Sequence, residues 1–205
     1  MKKYGLSLIA IALLLSSLSC EEEIREMEET IFIPDEINKN LPAYTELGYN
    51  SFGAIYERRL FYATNSIVPC KILYQKGIMT FTLSGCIGSN YRSGGAAEEM
   101  TLFISFPVDE AMNNYPDLMA LHQKRIDFTD SSCEVRMVRK SVEEDITVLS
   151  GNLFFKRVQL LRINEKENRV ILSGTFELTF LRNQLPEILS YGRFDLGIAN
   201  LFVFP

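Results

Sequence analysis

The segment RVILSGTFELTF, residues 169–180, carries the plainest structural signal in the chain. Val170, Leu172, Phe176, Leu178 and Phe180 fall on one face of an extended strand, with Gly174 in register. Arg169, Ser173, Thr175, Glu177 and Thr179 occupy the other face, where Ile171 alone breaks the alternation. Successive strand side chains point to opposite faces, so this period of two predicts a half-buried strand. Upstream, Leu153 to Ile163 is apolar and rich in strand-favouring residues, and the polar run Asn164 to Asn168 separates the two segments. Together they predict a β-hairpin.

The pattern repeats more weakly elsewhere. Met100, Leu102, Ile104 and Phe106 alternate with polar residues, as do Met79, Phe81 and Leu83, and Val135 with Met137. Further strands are expected near Phe52–Tyr56, Arg59–Tyr62, Ile72–Tyr74, Ile146–Ser150 and Arg193–Ile198. Only Val108 to Lys124 has a helix-like patch, split by Pro116. Eight or more short strands separated by polar turns predict an all-β fold, an antiparallel sandwich or barrel-like sheet with at most one or two short helices.

The 205 residues fit one domain, or one domain with a tail, and 47% hydrophobic and 11% aromatic content is enough for a sizeable core. At the N-terminus Lys2 and Lys3 precede the apolar run Leu6 to Leu15, then Ser16 to Cys20. That is the three-part layout of a secretory signal, and the run is too short for a helix that spans roughly 30 Å of hydrocarbon. Without Lys2 and Lys3 the chain keeps 19 basic residues against 26 acidic ones, a balance of −7. No dense cationic stripe exists, so nucleic acid is not an expected partner, and attachment to a membrane would need a covalent group.

Leu18-Ser19-Cys20 resembles a lipobox, the cleavage site of bacterial lipoprotein precursors. The resemblance implies a diacylglyceryl group on the Cys20 thiol and cleavage just before it. Ser17 stands where leucine is commonest, and Ser17 with Ser19 also fits ordinary signal peptidase, which would cut the same bond. Two or three acyl chains at ~0.8 kcal/mol per buried methylene give stable anchoring where one is marginal. The expected organisation is therefore a signal over 1–19, an acidic tether over 20–45 and a β-rich domain over 46–205. Residues 21–30 hold six Glu and one Arg, and 31–49 adds prolines and asparagines without periodicity, with a short strand at Thr30–Ile33 an option. Acids directly after the cysteine resemble the surface-export signals of Bacteroidetes lipoproteins; the periplasm-facing and surface locations both stay open.

Chemistry is hard to find. Cys70, Cys86 and Cys133 are an odd set once Cys20 is set aside. Cys70 and Cys86 are candidates for a cross-strand disulfide, with small apolar core residues as the alternative. The sole histidine, His122, has no metal-ligand spacing around it, and no metal or cofactor is expected. Gly85 to Gly95 lacks the lysine of a phosphate loop. Asp109/Glu110, Asp127/Asp130 and Glu143/Glu144/Asp145 are the carboxylate pairs open to glycosidic acid–base work or calcium, and solvated turn acids are the plainer alternative. Tyr56, Phe61, Tyr62, Tyr74, Tyr91 and Tyr191 would make a stacking platform if several shared an exposed face.

Two ends of the domain resemble a family of uncharacterised Bacteroidetes lipoproteins. Asn50-Ser51-Phe52-Gly53 is similar to that family's opening, and Ser173-Gly174-Thr175-Phe176 with Gly192-Arg193-Phe194-Asp195 to its closing strands. Glu57-Arg58-Arg59 departs from the Asn-Gly turn usual in its first hairpin. The resemblance implies a lipid-anchored β domain of unknown function and brings no catalytic residues. Gly174 and Gly192 fit tight strand positions where a side chain would clash. The expected function is a non-enzymatic β domain that binds a glycan or protein ligand at the outer membrane, with a glycan hydrolase and a purely structural component as rivals.

Overall fold

The structure, a computed structural model, describes residues 31–63, 70–88, 98–109, 115–163 and 166–198. These form one antiparallel sheet curled into a half-barrel, so the all-β expectation holds, as a single curled sheet and not a two-layer sandwich. Its strands are β1 (Ser51–Tyr56), β2 (Arg59–Tyr62), β3 (Cys70–Gln75), β4 (Ile78–Gly88), β5 (Glu98–Pro107), β6 (Arg125–Asp127), β7 (Glu134–Arg139), β8 (Val142–Glu144), β9 (Ile146–Ile163), β10 (Lys166–Arg182) and β11 (Leu185–Ile198). They lie in the order β6-β9-β10-β11-β1-β2-β4-β5-β7-β8, and β3 shares with β2 the same edge of β4.

The alternation read from the sequence sets the inner face. Phe176, Leu178 and Phe180 of β10 point inward, as do Met79, Phe81 and Leu83 of β4 and Met100, Leu102 and Ile104 of β5, all essentially buried. Phe81, Phe155 and Phe194 meet at the centre with ring centroids 5.3–5.8 Å apart, tilted or edge-on, the arrangement that ring quadrupoles favour.

Three sequence expectations change here. The β9–β10 hairpin is far longer than 153–180: Ile146–Ser150 and Leu153–Ile163 are one strand, kinked at bulges, and β10 already begins within the polar run, at Lys166. β11 begins at Leu185 and not at Arg193, because Pro186 and the left-handed Tyr191 hide its first half. Among the described residues of the helix-like patch there is one 3₁₀ helix, Tyr115–Leu121, with Pro116 in its first turn and Leu118 and Leu121 buried three residues apart. It and the following turn cap the edge of β9, where the Gln123 N–H donates to the Phe155 carbonyl and the Phe155 N–H to Lys124 (both 2.9 Å).

The outer face holds the main departure. Residues 31–45, expected within the tether, pack on the sheet. With 46–49 they form a strap across the outside of β9, β10, β11, β1, β2 and β4. Glu46 pairs with Arg157 of β9 (2.9 Å), and Asp35 with Arg193 of β11 (2.6 Å). Pro42 lies against Gly53 of β1. Leu41 is fully buried in a small outer core with Leu60, Tyr62 and Cys86. The expected strand at Thr30–Ile33 is absent over 31–33; a lone bridge joins Pro34 to Pro42. The segment lacks periodicity because it is held by individual anchors, not by a ladder.

The same two-sided burial settles the cysteines. Cys70 pairs with Leu83 and sits in the inner core, while Cys86, three positions along β4, faces the outer core under Leu41. With the Cys70 and Cys86 side chains on opposite faces of the sheet, the candidate bridge between them is not formed; both are buried core residues, the alternative reading, and Cys70, Cys86 and Cys133 are all free thiols.

Candidate functional site

The three short motifs converge. In the β1–β11 register Ser51 lies opposite Asp195, Phe52 opposite Phe194 and Gly53 opposite Arg193, and on β10 Ser173 lies opposite Asp195. Asp195 is a buried carboxylate that accepts hydrogen bonds from the backbone N–H groups of Leu47 (3.1 Å), Gly48 (2.8 Å) and Tyr49 (3.2 Å) and from the hydroxyls of Ser173 (2.9 Å) and Thr45. Asn50, left-handed at φ 52°, accepts from the Gly197 N–H (2.9 Å). These partners saturate the carboxylate, and strap and strands leave it no solvent. The motifs build a latch for the strap.

A second polar cluster closes one end of the half-barrel. Arg139 of β7 holds Glu98 of β5 (2.5 Å) and donates to the Tyr56 hydroxyl (3.1 Å), and that hydroxyl donates in turn to Glu187 of β11. Arg182 of β10 makes a forked pair with Glu187 (2.5 Å) and reaches Glu144 of β8 (3.6 Å). Arg59 completes the set on Glu98 (3.4 Å). Burial works to raise the Glu98 and Glu187 carboxyls, but the Arg139 and Arg182 guanidiniums outweigh it and hold both below the usual range. Burial, with Glu187 accepting its hydrogen bond, pushes the Tyr56 phenol up to about 12. Three arginines offset three glutamates, and every member is paired.

The third feature is an open cleft of about 430 Å³ on the outer face, where β6, β9, β10 and β11 lie beyond the strap. Asp127 of β6 stands directly opposite Asn152 of β9, which stands opposite Glu177 of β10. Opposed residues of an antiparallel ladder share a face, so the three side chains form one row. Arg125 Nη1 donates to Asn152 Oδ1 (2.7 Å), Asn152 Nδ2 donates to Glu177 Oε1 (2.8 Å), and the Arg125 guanidinium lies over the Phe154 ring at 4.4 Å. Thr129 and Thr179 add hydroxyls, and half-exposed Ile188 adds an apolar side.

Of the candidate carboxylates, Asp127 alone lines this cleft, and its partner there is Glu177, not Asp130. Asp127 and Asp130 each cap their own turn, taking the backbone N–H and hydroxyl of Thr129 and of Ser132 (2.7–2.8 Å), and those bonds hold both carboxyls below the usual range. Glu143 and Glu144 are tied to arginines, and exposed Asp109 lies 3.9 Å from Lys124. His122 Nδ1 accepts the Val158 N–H (3.1 Å), so the histidine serves the edge of β9. Tyr56, Phe61 and Tyr62 are buried, Tyr74 is half-buried and Tyr191 exposed, so they share no outer platform. Cys20, Tyr91 and Glu110 lie outside the described residues. Among the described residues no group of three or more His, Cys, Asp or Glu is arranged to hold a metal. The sequence reading missed Arg125, Asn152 and Glu177; Glu177 was visible only as an outward strand residue, and the row exists only through strand register. Comparison with protein-family profiles, with curated proteins and with solved structures finds no match to this chain.

Proposed function

We propose that the chain is a lipid-anchored protein of the outer membrane, held through acylated Cys20, and that its β domain is a non-enzymatic binding module. The observation that carries this reading is the outer-face cleft. There polar side chains from adjacent strands meet with both donors and acceptors, on one face of the sheet and clear of the strap. The lipobox and the short apolar leader support the anchor. A glycan hydrolase would need one carboxyl kept protonated near neutral pH as general acid. Both cleft carboxylates are already placed as acceptors, Asp127 of the Thr129 N–H and hydroxyl (2.8 and 2.7 Å) and Glu177 of the Asn152 amide (2.8 Å), which favours binding.

Hydrogen exchange of the full chain in detergent, with and without peptidoglycan fragments and envelope polysaccharide, tests the module. Protection of 125–127, 150–152 and 177–179 without change to the added polymer is the expected result. Cleavage of glycosidic bonds that vanishes in Asp127→Asn or Glu177→Gln would replace the binding reading with the hydrolase. Labelled palmitate incorporated by the natural chain and absent from Cys20→Ala tests the anchor.

A further inference from the structure

We infer that the ligand of the outer-face cleft is an uncharged sugar unit, gripped through its hydroxyls by the row Asp127–Asn152–Glu177; this rests on the cleft being the binding site. The row crosses two strand spacings, ~10 Å, so several hydroxyls of one saccharide can reach it at once. A hydroxyl both donates and accepts, and the row offers both roles in alternation. Asp127 and Glu177 only accept, Arg125 only donates, and Asn152 between them does each.

The grip is built before the ligand arrives. The chain of bonds from Arg125 to Asn152 to Glu177 fixes the amide's orientation, and the stack of Arg125 on Phe154 holds the guanidinium, so little rotamer freedom is left to lose on binding. A carboxylate has room for more than one donor, so Glu177 can take a ligand hydroxyl beside the Asn152 amide. Ile188, half-exposed at the side of the cleft, suits the C–H face of a sugar ring.

Charge selects against the alternatives. Two carboxylates and one guanidinium leave the cleft net negative, and that guanidinium already serves Asn152. A uronate or phosphate would set an anion against two carboxylates with no uncommitted cation to offset them. An extended peptide would instead seek main-chain pairing at a strand edge, and the row lies on a sheet face.

The test titrates the full chain in detergent with cellobiose, chitobiose, maltose, mannobiose and trigalacturonate, followed by amide chemical shifts. At least one neutral disaccharide is expected to shift the Asn152 and Glu177 amides, and trigalacturonate to shift neither. Glu177→Gln and Asn152→Ala should weaken that sugar at least fivefold with the unfolding temperature unchanged. Silence from all four neutral sugars, or affinity indifferent to both variants, overturns the inference. Trigalacturonate bound in a manner that Asn152→Ala abolishes would overturn the ligand class and keep the cleft as the site. Envelope polysaccharide that protects only some other face would remove the cleft reading itself.

Discussion

Gly174 shows how a single missing side chain shapes this sheet. A Cβ built there falls inside contact distance of the Phe154 carbonyl oxygen on β9 and of the Phe194 ring on β11. Gly192 meets the Phe176 carbonyl and ring in the same way. Gly174 lies opposite Phe194 and Gly192 opposite Phe176, so each motif supplies the glycine that the other motif's phenylalanine covers. Glycine paired with a cross-strand aromatic lets a sheet curl tightly while its inner face stays filled. Neither relief is open to alanine, because both clashing partners are fixed by the ladder and the core. Gly174→Ala should therefore cost about 3 kcal/mol, read as a fall in the urea midpoint, against less than about 0.5 kcal/mol for the exposed neighbour Thr175→Ala. A loss below about 1 kcal/mol at Gly174 would mean that the curl does not depend on the close approach.

At the scale of elements, the strap explains the one fault in the alternation of residues 169–180. Ile171 points outward yet is buried, because Gly48 lies on it; Ser173 and Asp195 are buried outward-facing polar residues for the same reason. The sequence displayed the anomaly without its cause, since the covering segment is distant in the chain and has no period of its own. Alternation made β5, β7 and the second half of β10 legible because each has one dry face and one at least partly wet. The first half of β11 was not, because its ladder carries a proline and a left-handed residue. The strap's contribution can be read from a thiol. Leu41→Ala should destabilise by about 2–4 kcal/mol and open the outer core above Cys86, so that maleimide reacts with Cys86 at least tenfold faster under native conditions. Cys70, on the inner face of the same strand pair, should stay unreactive in both proteins. Equal acceleration at both would signal global opening in place of a loosened strap.

Over the whole molecule, what joins distant strands is the ionic cluster that closes the barrel end. Arg139, Arg182 and Arg59 with Glu98, Glu144, Glu187 and Tyr56 come from seven strands, and no spacing in the sequence announces their meeting. Its members' shifted titrations fix how stability should follow pH. Glu98 and Glu187 lie below their ordinary range when folded, so they stabilise above the unfolded value of about 4.3, and that contribution is lost as pH falls through the folded values. On the alkaline side, burial raises Tyr56 to about 12, and burial with nearby acids raises Cys133 to about 11. The fold thus favours their protonated forms, and stability should decline once pH passes their unfolded values of about 8.5–10. Urea midpoints from pH 3 to 11 should form a plateau over about pH 5–8 with a fall on each side. Arg182→Met removes the forked partner of Glu187 while keeping the aliphatic bulk. Burial, then opposed only by the Tyr56 hydroxyl and the more distant Arg139, lifts the Glu187 carboxyl, and the acid limb should move to higher pH with the alkaline limb little changed. An acid limb that coincides with that of the natural chain would show that acid lability arises outside this cluster, with Asp35 on the strap, also held below its range, the next group to remove.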